Sequence, residues 1–234
     1  MKRLNLLAAA ITAALLPTVA LAHNQGARVS VGGAYQHVSA GQAADNLPGV
    51  EFGISQRAGG IGIRARLAVA RANGAELDSG SVRFLAYPHH RVSPFLSVGG
   101  LSLSGLGGVA VTTDYSVNPV TGAITPVAVR LPVPPVGVAM GDAFLGLHAS
   151  IPVNSRLTLD GHVAIGAGIG GSATGLPPAQ GARSEVAHEA GVAMRFRLAG
   201  GPVLSIGYSQ ESIPVRGSVL KVGGVEASVA RRFY

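Results

Sequence analysis

Arg156-Leu157-Thr158-Leu159-Asp160-Gly161-His162-Val163-Ala164-Ile165 sets polar against apolar side chains in alternation. Arg156, Thr158, Asp160 and His162 form one set, and Leu157, Leu159, Val163 and Ile165 the other. Successive side chains of an extended strand point to opposite faces, so a period of two predicts a strand with one wet and one greasy face.

The same rhythm recurs on either side of this stretch. In Ile61-Gly62-Ile63-Arg64-Ala65-Arg66-Leu67-Ala68-Val69 the odd positions are apolar and two even ones are arginine. Between residues 186 and 198, Val192, Met194, Phe196 and Leu198 oppose Glu189, Arg195 and Arg197. Ten segments bounded by turn residues qualify as strands: 27–36, 49–56, 61–71, 81–88, 92–104, 141–151, 156–167, 184–198, 203–211 and 219–233. Short links at 57–60, 89–91, 152–155 and 199–202 alternate with longer ones at 37–48, 72–80, 105–140, 168–183 and 212–218. Tight periplasmic turns alternating with longer external loops are the habit of an outer-membrane barrel.

Composition narrows the class. Charged residues make up 12% of the chain, against about 25% in ordinary soluble domains. Mean hydropathy is +0.39. Yet beyond the N-terminus no stretch resembles a spanning helix, because the most apolar candidate, 127–140, holds Pro132, Pro134 and Pro135. A chain this apolar without spanning helices must still pair every backbone N–H and C=O, and a closed sheet does so in lipid. The expectation is an all-β fold, a transmembrane antiparallel up-and-down barrel of about ten strands, with eight to twelve possible. Within 105–140, Asn118-Pro119-Val120-Thr121-Gly122 separates two β-like runs, which predicts an external hairpin. Its incorporation into the wall, giving twelve strands, is the alternative.

Residues 1–22 read as a signal peptide. Lys2 and Arg3 precede an apolar stretch from Leu4 to Leu16, Pro17 breaks it, and Ala20-Leu21-Ala22 offers the cleavage site. Residues 23–234 then form one domain in the bacterial outer membrane of a Gram-negative envelope. An uncleaved anchor is the alternative, and the apolar run is short for it. Cleavage removes two positive charges from a formal net charge of +7. The remaining arginines are scattered singly with few aromatics between them, which argues against nucleic acid. The chain has no cysteine, so thiol chemistry and cysteine metal sites are absent and stability must come from pairing and burial.

The pairs Gly32-Gly33, Gly99-Gly100 and Gly223-Gly224 fall inside strands and read as bulges, with plain turns as the alternative. Tyr87, Phe95, Phe196, Phe233 and Tyr234 are expected near the periplasmic interface, and Tyr35 and Tyr208 near the outer one. The chain ends on a strand whose apolar face (Val225, Ala227, Val229) leads to Phe233, one residue before the terminal Tyr234.

From Gly141 onward the chain resembles the YfaZ-like outer-membrane proteins. The resembling features are the Gly-rich hairpin 146–168, then Glu189-Ala190-Gly191-Val192-Ala193, then Leu204-Ser205-Ile206-Gly207-Tyr208. The resemblance implies an outer-membrane barrel and brings no catalytic residue with it.

Strand parity collects Glu51, Arg64, Arg66, Arg83, His148, Asp160, His162, Glu189, Arg195 and Glu226 on the inward face. A barrel of this size is one step above the eight-stranded kind that side chains fill, so these residues are expected to plug the lumen as a paired network. A narrow small-solute channel is the alternative. His148-Ala149-Ser150, with Asp160 to orient the histidine, gives a weaker case for a lipid A-modifying hydrolase. Paired acidic residues for an omptin-like protease are not apparent. His89-His90 point to opposite faces as neighbours on a strand and make poor joint metal ligands. The glycine clusters lack the context of a phosphate loop. The expectation is therefore a non-enzymatic structural or surface-interaction protein without metal or cofactor. Its partners would be outer-membrane lipid, lipopolysaccharide and the barrel-assembly machinery, with oligomeric state left open.

Overall fold

The computed structural model describes residues 27–58, 60–117, 124–176, 186–215 and 218–233. The signal-peptide reading of residues 1–22 and the hairpin tip at 118–123 lie outside the described residues. Ten antiparallel strands run in chain order: β1 (Ala27–Ala40), β2 (Ala43–Ala58), β3 (Ile61–Ala72), β4 (Ala75–Ala86), β5 (Val92–Val117), β6 (Ile124–Pro152), β7 (Leu157–Thr174), β8 (Ala187–Arg197), β9 (Val203–Val215) and β10 (Ser218–Phe233). Each pairs with its sequence neighbours, and β1 closes on β10 from Ala27↔Phe233 to Ala40↔Leu220. The sheet therefore has no free edge around the wall, as an up-and-down barrel requires. Among the described residues no helix is long and apolar enough to cross a membrane.

Both ends of the described chain lie at one end of the barrel, here called the terminal end. The hairpin is a continuation of the wall. β5 and β6 stay paired from Val92↔Ala149 to Val117↔Ile124, whereas β6 leaves β7 at Gly137↔Thr174. The wall has ten strands and the hairpin stands beyond it, which settles the twelve-strand alternative.

Two expectations about connections are corrected. The links at 37–48 and 72–80 are mostly strand, and two-residue turns at 41–42 and 73–74 join β1 to β2 and β3 to β4. Asn73 and Gly74 both take positive φ (51° and 83°), the backbone of a tight hairpin turn whose twist suits the flanking strands. The glycine pairs are not bulges either. Gly32-Gly33, Gly99-Gly100 and Gly223-Gly224 keep regular register, and the register shifts fall at Leu103/Leu106, Leu106/Gly108 and Met140/Gly141.

Polarity inverts along the barrel. Near the terminal end the outward side chains are apolar and exposed: Val29 and Val31 on β1, Phe52 on β2, Leu145 and Leu147 on β6, Val163 and Ile165 on β7, and Val229 on β10. Toward the far end the outward positions turn polar, with His37 and Ser39 on β1, Asn46 on β2, Arg71 and Glu76 bonded at 2.5 Å on β3 and β4, and Lys221 on β10. The inward positions change in the opposite sense. On β1 they run Arg28, Ser30, Gly32, Ala34, Gln36, Val38, Ala40. On β10 they run Arg232, Ala230, Ser228, Glu226, Gly224, Val222, Leu220. One half of the barrel is apolar outside and polar inside, and the other half is the reverse. Tyr35 and Tyr208 flank Val225 on neighbouring strands just below the switch, with exposed rings where amphipathic side chains favour an interface.

Candidate functional site

The inward face of the terminal half encloses a chamber of about 1250 Å³. All ten residues assigned inward by parity line it. They fall into three groups joined across the lumen. On β3, Arg66 reaches Glu51 of β2 at 2.7 Å and also bonds Glu226 of β10. On β4, Arg83 Nη2 donates to Glu189 Oε1 of β8 at 2.5 Å, and His162 Nε2 of β7 meets the same carboxylate oxygen at 3.0 Å. On β8, Arg195 holds Asp160 of β7 through two nitrogens and donates from Nη2 to Ser150 Oγ of β6 at 3.1 Å. His148 Nε2 lies 3.4 Å from Arg64 Nη1 and 3.6 Å from Asp160 Oδ1, which links the third group to β3. Charged hydrogen bonds of this kind brace opposite walls in a protein without disulfides.

Ser150, His148 and Asp160 thus share a face without forming a nucleophile–base–orienter chain. The hydroxyl takes its hydrogen bond from Arg195, and the carboxylate is engaged by the same guanidinium. His89 and His90 sit in the turn at the chamber mouth. Among the described residues no group of three or more metal-ligating side chains gathers.

Three features escaped the sequence reading. Phe95 points into the lumen and not to the membrane interface. It is buried there, with the Arg83 guanidinium 4.2 Å from its ring centroid and the His162 ring edge-on at 6.2 Å. Its parity with Ser93 and Ser97 was the available signal. Asp142 and Glu211 also face inward, near enough to repel, and Glu211 Oε1 is buried without a hydrogen-bond partner. Most important, the charged network lines a chamber, and a separate apolar layer lies beyond it. Toward the far end the inward face becomes an apolar layer, where Val38, Leu47, Leu77, Leu101, Leu103, Leu106, Val136, Val138, Ile213 and Leu220 are each 0–3% exposed in one cluster. Side chains lining a water-filled path would be wetted, so these inward residues pack against one another across the lumen. The charges of the network lie on the terminal side of this layer, since an unpaired charge inside it would cost several kcal/mol.

The closed wall, the inverted polarity and the charged lumen define the class as a small antiparallel β-barrel. The chain is similar to several solved structures. The translocator domain of the autotransporter NalP from Neisseria meningitidis matches at 15% identity and a TM-score of 0.43, over 97% of this chain and 98% of that one. The Yersinia pestis outer membrane protein Ail matches at 12% identity and 0.37, over 90% and 100%. The Pseudomonas putida toluene transporter TodX matches at 11% and 0.32, over 88% of each. No protein-family model matches the chain, and no curated protein does.

Proposed function

We propose that the protein is a non-enzymatic, non-conducting outer-membrane barrel that presents its far rim and hairpin at the cell surface. The polarity inversion carries this reading. An apolar outer surface near the terminal end suits lipid, and a polar outer surface over an apolar interior suits water. With the chain ends on the periplasmic side, outer-membrane lipid surrounds the belt, lipopolysaccharide meets the rim, and the barrel-assembly machinery performs insertion. The YfaZ-like resemblance supports the same location. That Arg195 engages both Ser150 and Asp160 supports a role other than lipid hydrolysis.

A narrow channel for small solutes is the second reading, favoured by the chamber. The apolar layer above it weighs for closure. Planar-bilayer recording of refolded protein separates the two. The expected result is no current above that of the empty bilayer, and reproducible single-channel steps would overturn the non-conducting reading.

A further inference from the structure

The ion pairs of the lumen use up most of its carboxylates and leave guanidinium groups over. Among the described residues, ten arginines line the chamber against six carboxylates. Arg66 holds Glu51 and Glu226, Arg83 holds Glu189, and Arg195 holds Asp160. Asp142 and Glu211 lie further in, beside the apolar layer. Among the described residues, Arg28, Arg57, Arg64 and Arg197 make no ion pair with a carboxylate.

Three of these four gather at the mouth. Among the described residues, the charged groups with the largest effect on Arg28 are the guanidinium groups of Arg195, Arg57, Arg232 and Arg197. They come from the terminal ends of β1, β2, β8 and β10. Arg64 lies deeper on β3, where its Nη1 is 3.4 Å from the His148 ring. Like charges held together against a low-dielectric wall repel one another and focus a positive potential into the cleft. Planar guanidinium forks are matched to carboxylate and phosphoryl oxygens, which they bind in pairs. The chamber is also blind, since the apolar layer stops what enters at the mouth.

We propose that the chamber is a binding vestibule for a small, multiply charged anion bearing phosphoryl or carboxylate groups, seated between Arg28, Arg57 and Arg197 at the mouth and Arg64 within. Its oxygens replace the missing carboxylates and relieve the repulsion among the arginines. The inference rests on the chamber and not on the membrane reading. A current through the barrel would overturn closure and leave the anion site standing.

The test is isothermal titration of the refolded full chain in neutral detergent micelles, with tripolyphosphate and citrate as separate probes. Saturable one-to-one binding that weakens as sodium chloride is raised is the expected result. Binding of tripolyphosphate alone assigns a phosphoryl ligand, and binding of citrate as well assigns a broader polyanion site; either supports the proposal. Arg28→Gln/Arg64→Gln should weaken binding by at least about tenfold, the loss expected from removing charge-assisted hydrogen bonds. Should that variant fail to fold, Arg197→Gln, altered at an exposed rim side chain, serves in its place with a smaller weakening in the same direction. No saturable binding of either probe, or undiminished binding by a folded glutamine variant, overturns the proposal.

Discussion

Arg83 on β4 donates to Glu189 on β8 across the lumen at 2.5 Å, four strands apart around the wall. Both side chains are about 15% exposed, so neither is well solvated once its partner is lost. Glu189→Ala would strand the guanidinium, and the expected loss is on the order of 3 kcal/mol in urea unfolding of the refolded barrel. The double variant Arg83→Ala/Glu189→Ala should lose less than the sum of the single changes, because it leaves no uncompensated charge. Strict additivity would mean that the two groups do not act on each other.

Glu211 poses the opposite case. Its Oε1 is buried without a hydrogen-bond partner, and Asp142 repels it. Glu211→Gln keeps the shape and removes the ionisable group, so the unfolding midpoint should hold or rise. A clear fall would show that the carboxylate has a favourable partner in the folded barrel.

Adjacent glycines should respond differently to the same change. A Cβ on Gly32 would meet the Ala227 carbonyl oxygen of β10 at 2.3 Å, whereas one on Gly33 would find its nearest neighbour at 3.9 Å. Gly32→Ala should impair closure of the β1–β10 seam and lower the yield of heat-modifiable, folded species on gels. Gly33→Ala should fold like the parent. Equal yields would argue against the close approach of these strands.

The apolar layer can be tested by opening it. Leu103→Ser/Ile213→Ser places two hydroxyls among buried leucines and valines, weakening the packing that excludes water. Conductance in planar bilayers should appear in this variant and not in the parent. A silent variant with native gel mobility would place the closure elsewhere.

These features differ in how legible they were. The charged lumen followed from parity alone, because Arg64, Arg66, His162 and Glu189 alternate with apolar neighbours along their strands. The far halves of the strands were hidden by their reversed phase. At Gln36-His37-Val38-Ser39-Ala40 the alternation continues, yet its polar members now face out, so a template of apolar-out and polar-in ends the strand at Gln36. The same reversal made 72–80 look like a loop, although Asn73-Gly74 is a strong hairpin signal. Phe95 was misplaced because an aromatic near a strand end suits an interface as well as an interior. The apolar layer was not legible, since it depends on which apolar residues of distant strands meet.

If the barrel sits in a bilayer as proposed, the reversal of phase also fixes how deep it can sink. Pushed further in, His37, Asn46 and the Arg71–Glu76 pair would enter hydrocarbon; drawn out, Val29, Phe52 and Val163 would be stranded in water. Both displacements are penalised on every strand that carries the switch, so the barrel has a waterline written into its wall. Whatever the hairpin meets, it meets at a set height above the bilayer.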